Sequence, residues 1–135
     1  MKKFLLFIFI HFSVMAFSQE KQYKIVWEIS AKDTSVHSAI FRQINNVLTL
    51  APDTKIEVVF HGNAISVLTH DSSLHVNKIL KEQKRGVIFA ICNNSMKRLN
   101  VSASRLLPGV QIVPVAMMEI VKKQDEGYSY IKAGY

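Results

Sequence analysis

The chain contains a single cysteine, Cys92, which follows the apolar run Val87-Ile88-Phe89-Ala90-Ile91 and directly precedes Asn93-Asn94-Ser95. A thiolate is a nucleophile towards sulfur and carbon, whereas a thiol is not, so a working cysteine needs its pKa lowered from about 8.5. Two neighbouring features serve that end. Asn93, Asn94 and Ser95 are suited to a tight turn opening a helix, whose free amides favour negative charge. Lys97 and Arg98 add positive charge close by. The competing reading is a thiol that only packs, because free cysteine is among the most buried residue types. Spacing alone leaves both readings open. With no second cysteine, the thiol is free, paired between chains, or chemically employed.

His61, at the end of Lys55-Ile56-Glu57-Val58-Val59-Phe60, is the other candidate. An imidazole there serves as a base or hydrogen-bond partner, or is simply satisfied by a loop carbonyl. Asp33 and Thr34 follow the run Tyr23–Ile29, and Cys92, His61 and Asp33 could be written as a cysteine hydrolase. His37, His70 and His75 form no dense ligand pattern and no Cys-x-x-Cys exists, so no metal site is expected. The five glycines are unclustered, which argues against a nucleotide cofactor.

These residues must be held by elements that the hydropathy pattern reveals. Tyr23–Ile29 is rich in strand formers, and Val36, Ile40, Ile44, Val47 and Leu48 then follow helical spacing behind the capping candidates Asp33-Thr34-Ser35. A second strand over 55–61 leads to the turn Gly62-Asn63. After an irregular stretch, Ser72 or Ser73 is expected to cap a helix running to about Lys84 with Leu74, Ile79 and Leu80 inward, ended by Gly86. Strand three is Val87–Ile91, and short helical turns follow over 95–99 and 103–107. Strand four is Val110–Val115, kept from the centre of the sheet by Pro114, which has no amide to donate. A helix over about 117–124 and a strand over 128–131 close the chain. The alternation predicts an α/β fold: a flavodoxin-like three-layer sandwich around a mainly parallel five-stranded sheet, order 2-1-3-4-5. In that order Cys92 faces Asp33 and Thr34 across the crevice where the order reverses. His61 falls one strand further out, about 10 Å away, beyond hydrogen-bond reach of the thiol. That distance argues against the hydrolase.

The N-terminus reads as a leader. Lys2-Lys3 precede the apolar stretch Phe4–Met15, and Ala16-Phe17-Ser18 supply the small residues of a cleavage site, so residues 1–18 are expected to be a signal peptide. The stretch falls short of the roughly 20 residues that span a bilayer, and no cysteine follows the cut to carry a lipid. The expectation is an exported protein, periplasmic or secreted, without a membrane anchor after cleavage, whose residues 19–135 form one domain. The net charge is +7, but its basic residues are scattered without interleaved aromatics, which argues against nucleic-acid binding.

Several motifs resemble the DsrE/DsrF-like family: Asn45-Asn46-x-Leu48, His61-Gly62, Cys92-Asn93-Asn94-Ser95-Met96, and Leu106-Leu107-Pro108-Gly109-Val110. So do Val113-Pro114, Glu119-Ile120-Val121 and the tail Gln124–Lys132. The resemblance runs from about Lys24 to Lys132. It implies a compact α/β domain assembled as a trimer or hexamer, and sulfur handling without a cofactor: Cys92 accepts sulfane sulfur as a persulfide and passes it on. The implied partners are a sulfur donor and an acceptor thiol, on a protein or a small molecule. Asp33, Thr34, His61, Asn93, Asn94 and Ser95 are expected to line the site. The alternative is a non-catalytic oligomeric binding or assembly module of the same fold.

Overall fold

A computed structural model describes residues 22–134. The leader read at residues 1–18 lies outside the described residues. Five strands alternate with helices: β1 (Lys24–Ile29), α1 (Thr34–Leu50), β2 (Lys55–Phe60), a 3-10 segment (Gly62–Leu68), α2 (Val76–Lys84), β3 (Ile88–Cys92), α3 (Asn93–Arg98), a 3-10 turn (Ala103–Arg105), β4 (Gln111–Val113), α4 (Ala116–Asp125) and β5 (Ser129–Ala133). All four strand pairings are parallel.

The α/β architecture is the expected one, but the strand order is β4-β3-β2-β1-β5 rather than 2-1-3-4-5. β2, which the expected order places at an edge, holds the centre in place of β3. Its residues explain the choice: Ile56 through Phe60 are apolar or buried on both faces, as a strand covered on both sides requires. β5, with Tyr130, Ile131 and Lys132 exposed, takes the edge beside β1, and β4 with Pro114 just past its end takes the other edge.

Alternation along the strands divides the core into two layers. Trp27, Ile29, Val58, Phe60, Phe89 and Ile91 point to the face where Ile40, Ile44 and Leu48 of α1 and Ile79 of α2 pack. Val26, Val59, Ala90, Cys92 and Val113 point to the opposite face, covered by Ala116 and Ile120 of α4. α4 is pinned there by Lys123, whose ammonium lies 3.2 Å from the buried Glu57 carboxylate of β2. Leu74 does not point inward as its spacing suggested. It is 80% exposed, because α2 starts only at Val76 and the preceding turn carries Leu74 away from the core.

Candidate functional site

Cys92 ends β3 and is at once the residue that caps α3, so its side chain stands where the strand hands over to a helix. The backbone amide of Ala116, first residue of α4, donates to Cys92 Sγ at 3.4 Å. Burial pushes the thiol pKa up, but hydrogen bonds from the Ala116 and Ser95 amides, the Ser95 hydroxyl and the Asn94 amide outweigh it and hold the group below its ordinary value. Ser95 is itself fixed, for the Gly62 amide donates to its Oγ at 2.9 Å. Gly62 has φ +56°, a conformation open to glycine at little cost, and this lets the chain leaving β2 turn its amide towards α3. The sulfur is covered: Cys92 is 5% exposed, although Asn94 and Met117, beside its hydrogen-bond partners, are at the surface.

The changed strand order rearranges the other candidates. β2 and β3 are neighbours, paired Phe60 to Ile91. Continuing that register by one residue sets His61 beside Cys92, not one strand beyond it. Asp33 and Thr34 move the other way, since β2 now separates β1 from β3. They do not face Cys92. Asp33 caps α1 through its Oδ1, which accepts from the Ser35 amide at 2.7 Å, and Thr34 opens that helix. Asn93 is half-buried and Asn94 exposed, both in the first turn of α3.

Sequence reasoning missed the partners of His61. Its Nε2 donates to Glu28 Oε1 of β1 at 2.8 Å, and the Tyr130 hydroxyl of β5 donates to the other oxygen of the same carboxylate. Burial opposes ionisation of Glu28, but the Tyr130 and His61 hydrogen bonds prevail and hold its pKa below the usual value. Tyr130 is correspondingly pushed up to about 12. Glu28 carried a readable signal, a lone carboxylate inside the apolar run Ile25-Val26-Trp27-Glu28-Ile29, which demands a partner when half-buried. Tyr130 carried none. Among the described residues, no cluster of three or more His, Cys, Asp or Glu side chains could hold a metal ion.

The family model for the DsrE/DsrF-like family matches residues 23–133. The chain belongs to the DsrE/DsrF-like family. Membership suggests a role related to sulfur relay. Among solved structures, this DsrE/DsrF-like chain is similar to a protein of unknown function, MTH1491, from Methanobacterium thermoautotrophicum. The identity is 28% and the TM-score 0.79, over 82% of this chain and 99% of that one. Two more distant structures share the fold. One is BT1422, a conserved protein of unknown function from Bacteroides thetaiotaomicron, at 14% identity and TM-score 0.66, over 81% and 93% of the two chains. The other is the ychN protein of E. coli, at 9% and 0.69, over 83% and 99%. No curated protein matches the sequence. No helix among the described residues is long and apolar enough to cross a membrane.

Proposed function

We propose that this DsrE/DsrF-like protein carries sulfane sulfur as a persulfide on Cys92 and delivers it to a partner thiol. The Cys92 thiolate attacks the outer sulfur of a donor persulfide. A new sulfur–sulfur bond forms on Cys92, the donor's sulfur–sulfur bond breaks, and its electron pair leaves with the donor thiolate. In the second step an acceptor thiolate attacks the outer sulfur and Cys92 departs as thiolate. Both steps are exchanges without net oxidation, so no cofactor enters. A lowered thiol pKa makes Cys92 a good leaving group in the second step. His61, hydrogen-bonded to Glu28 and at the end of the strand beside Cys92, would take the acceptor's proton.

The observation that carries this reading is the convergence of amides from α3 and α4 and the Ser95 hydroxyl on one sulfur. A packed, idle thiol needs no such set of donors. The burial of Cys92 favours a second reading, an oligomeric binding or assembly module of the same fold with an inert thiol. Alkylation by iodoacetamide across pH separates the two. The carrier requires a rate profile whose midpoint lies below that of an ordinary thiol. A thiol that resists alkylation throughout the folded range leaves only the module.

The same proposal includes self-assembly and export. Met117, Met118 and Val121 of α4 are exposed apolar side chains on the Cys92 side of the sheet, suited to contact between copies. The leader pattern at residues 1–18 supports work outside the cytoplasm, periplasmic or secreted.

A further inference from the structure

Four polar side chains, from four neighbouring strands, share one face of the sheet. Strand alternation puts Val26, Val59 and Cys92 on the α4 face. Glu28 pairs in register with Val59, and Tyr130 with Val26, so both belong to that face. His61 joins them one residue past Phe60, which faces α1; its backbone is still extended and its amide donates to the Ile29 carbonyl at 3.0 Å. Across the order β5-β1-β2-β3 the row reads Tyr130, Glu28, His61, Cys92.

Within this row the hydrogen bonds have a fixed direction. An ionised carboxylate only accepts, so the Tyr130 hydroxyl donates to one Glu28 oxygen, and His61 Nε2, 2.8 Å from the other, carries a hydrogen. Both oxygens are engaged and the Glu28 side chain is 12% exposed, which leaves the carboxylate little freedom to turn. The groups that act on it are Tyr130, His61 and Lys132 of β5, exposed and opposite Glu28 in register. A neutral imidazole that donates at Nε2 accepts at Nδ1. That second nitrogen has no hydrogen-bond partner among the described residues. It is not sealed either: the buried side-chain nitrogens and oxygens without a partner there are Trp27 Nε1 and both nitrogens of His75. The His61 side chain, 23% exposed, keeps one basic nitrogen for a molecule arriving from outside.

We propose that Glu28 and Tyr130 are positioning residues for sulfur transfer, which hold His61 with its hydrogen on Nε2 and leave Nδ1 as the base for the incoming acceptor thiol. The base role rests on sulfur carriage at Cys92; the arrangement of the ring does not. In the transfer step the acceptor's S–H proton passes to Nδ1 and its sulfur bonds to the outer sulfur of the Cys92 persulfide. The sulfur–sulfur bond to Cys92 breaks, and its electron pair stays on Cys92. The imidazolium that forms is paired with the Glu28 carboxylate, which Tyr130 keeps in place, and the proton is then released to water. An ordinary thiol is only about 3% ionised at pH 7, so a base can raise the rate there by about thirtyfold at most and has nothing to add at pH 10.

The test has two arms, on wild type, His61→Gln, Glu28→Leu and Tyr130→Phe; leucine suits the apolar run of β1, and phenylalanine removes only a hydroxyl. In the first, proton–nitrogen NMR of the His61 ring at pH 8 is expected to show an Nε2–H proton protected from exchange in wild type, lost in Glu28→Leu and exchanging faster in Tyr130→Phe. In the second, protein loaded with sulfur on Cys92 delivers it to a small thiol of ordinary pKa. At pH 7 transfer is expected to slow about tenfold in His61→Gln and Glu28→Leu and about threefold in Tyr130→Phe, and at pH 10 all four proteins should match. The proposal is overturned if the Nε2–H signal is absent from wild type or survives in Glu28→Leu, if the variants match wild type at pH 7, or if they are slowed equally at both pH values. A wild type that takes up no sulfur overturns carriage and the base role together, and the first arm still decides whether Glu28 and Tyr130 hold the ring.

Discussion

At Cys92 burial and hydrogen bonding pull in opposite directions, and the donors prevail. Ser95 is the donor that a side-chain substitution removes cleanly. Ser95→Ala is expected to move the alkylation midpoint upward by several tenths of a pH unit to one unit, because a hydrogen bond to a charged group contributes about 1.5 kcal/mol and the backbone amides remain. Loss of the Gly62 acceptor is expected to cost about 1 kcal/mol of stability as well, and an unshifted midpoint in the folded variant would show that the hydroxyl does not bear on the sulfur. Beside Tyr130, Glu28→Gln removes the carboxylate whose hydrogen bond, with its charge, raises the phenol pKa. The Tyr130 titration, read by NMR, is then expected to fall from about 12 towards the ordinary tyrosine value. A titration left near its old position would mean that Glu28 is not its cause.

The handover between β2 and α3 rests on Gly62, whose amide reaches Ser95 and whose φ is +56°. Gly62→Ala places a side chain in a disfavoured conformation and is expected to cost about 1 kcal/mol, seen as a lower urea midpoint with unchanged slope. The elements themselves were legible in the sequence, since apolar spacing and turn residues located the helices and strands to within a few residues. Leu74 misled because its apolar character fitted a helix that begins two residues later. Strand order was harder. Every strand is parallel, and the neighbour that each one chooses depends on packing of both faces rather than on local pattern. The clue lay in contrast: Ile56–Phe60 is apolar apart from Glu57, as the centre of a sheet demands, while Ser129–Ala133 mixes polar and apolar residues as an edge does. That contrast decides that β2, with His61 just past its end, lies beside the strand that carries Cys92. Cys92 and its turn could be read from residue types, whereas the Ala116 amide and Tyr130 come from far along the chain and only the fold brings them in.

For the molecule as a whole, α4 is the lid over one sheet face, and Glu57 with Lys123 fastens it. Burial raises the Glu57 pKa above its ordinary 4.5, and Lys123 only partly offsets this. The folded state therefore holds the Glu57 proton more tightly than the unfolded chain. Stability from this group is fully present below about pH 4.5 and is lost as pH rises through the raised folded value. Relative to Glu57→Gln, the wild type should lose stability over that window, as read by urea midpoints at several pH values; an opposite slope would contradict the assignment. The outer side of α4 bears on assembly. Met118 is 64% exposed, and in sedimentation Met118→Asp is expected to shift an oligomeric wild type towards the single chain. Identical sedimentation of both proteins would remove α4 from the contact.

The central claim is that Cys92 takes up sulfur. Intact mass measured after incubation with polysulfide and removal of excess donor tests it most directly. The account predicts a gain of one sulfur atom on the wild type, reversed by a small thiol, and no gain on Cys92→Ser. A wild type that gains nothing, or a Cys92→Ser variant that gains as much, would contradict it.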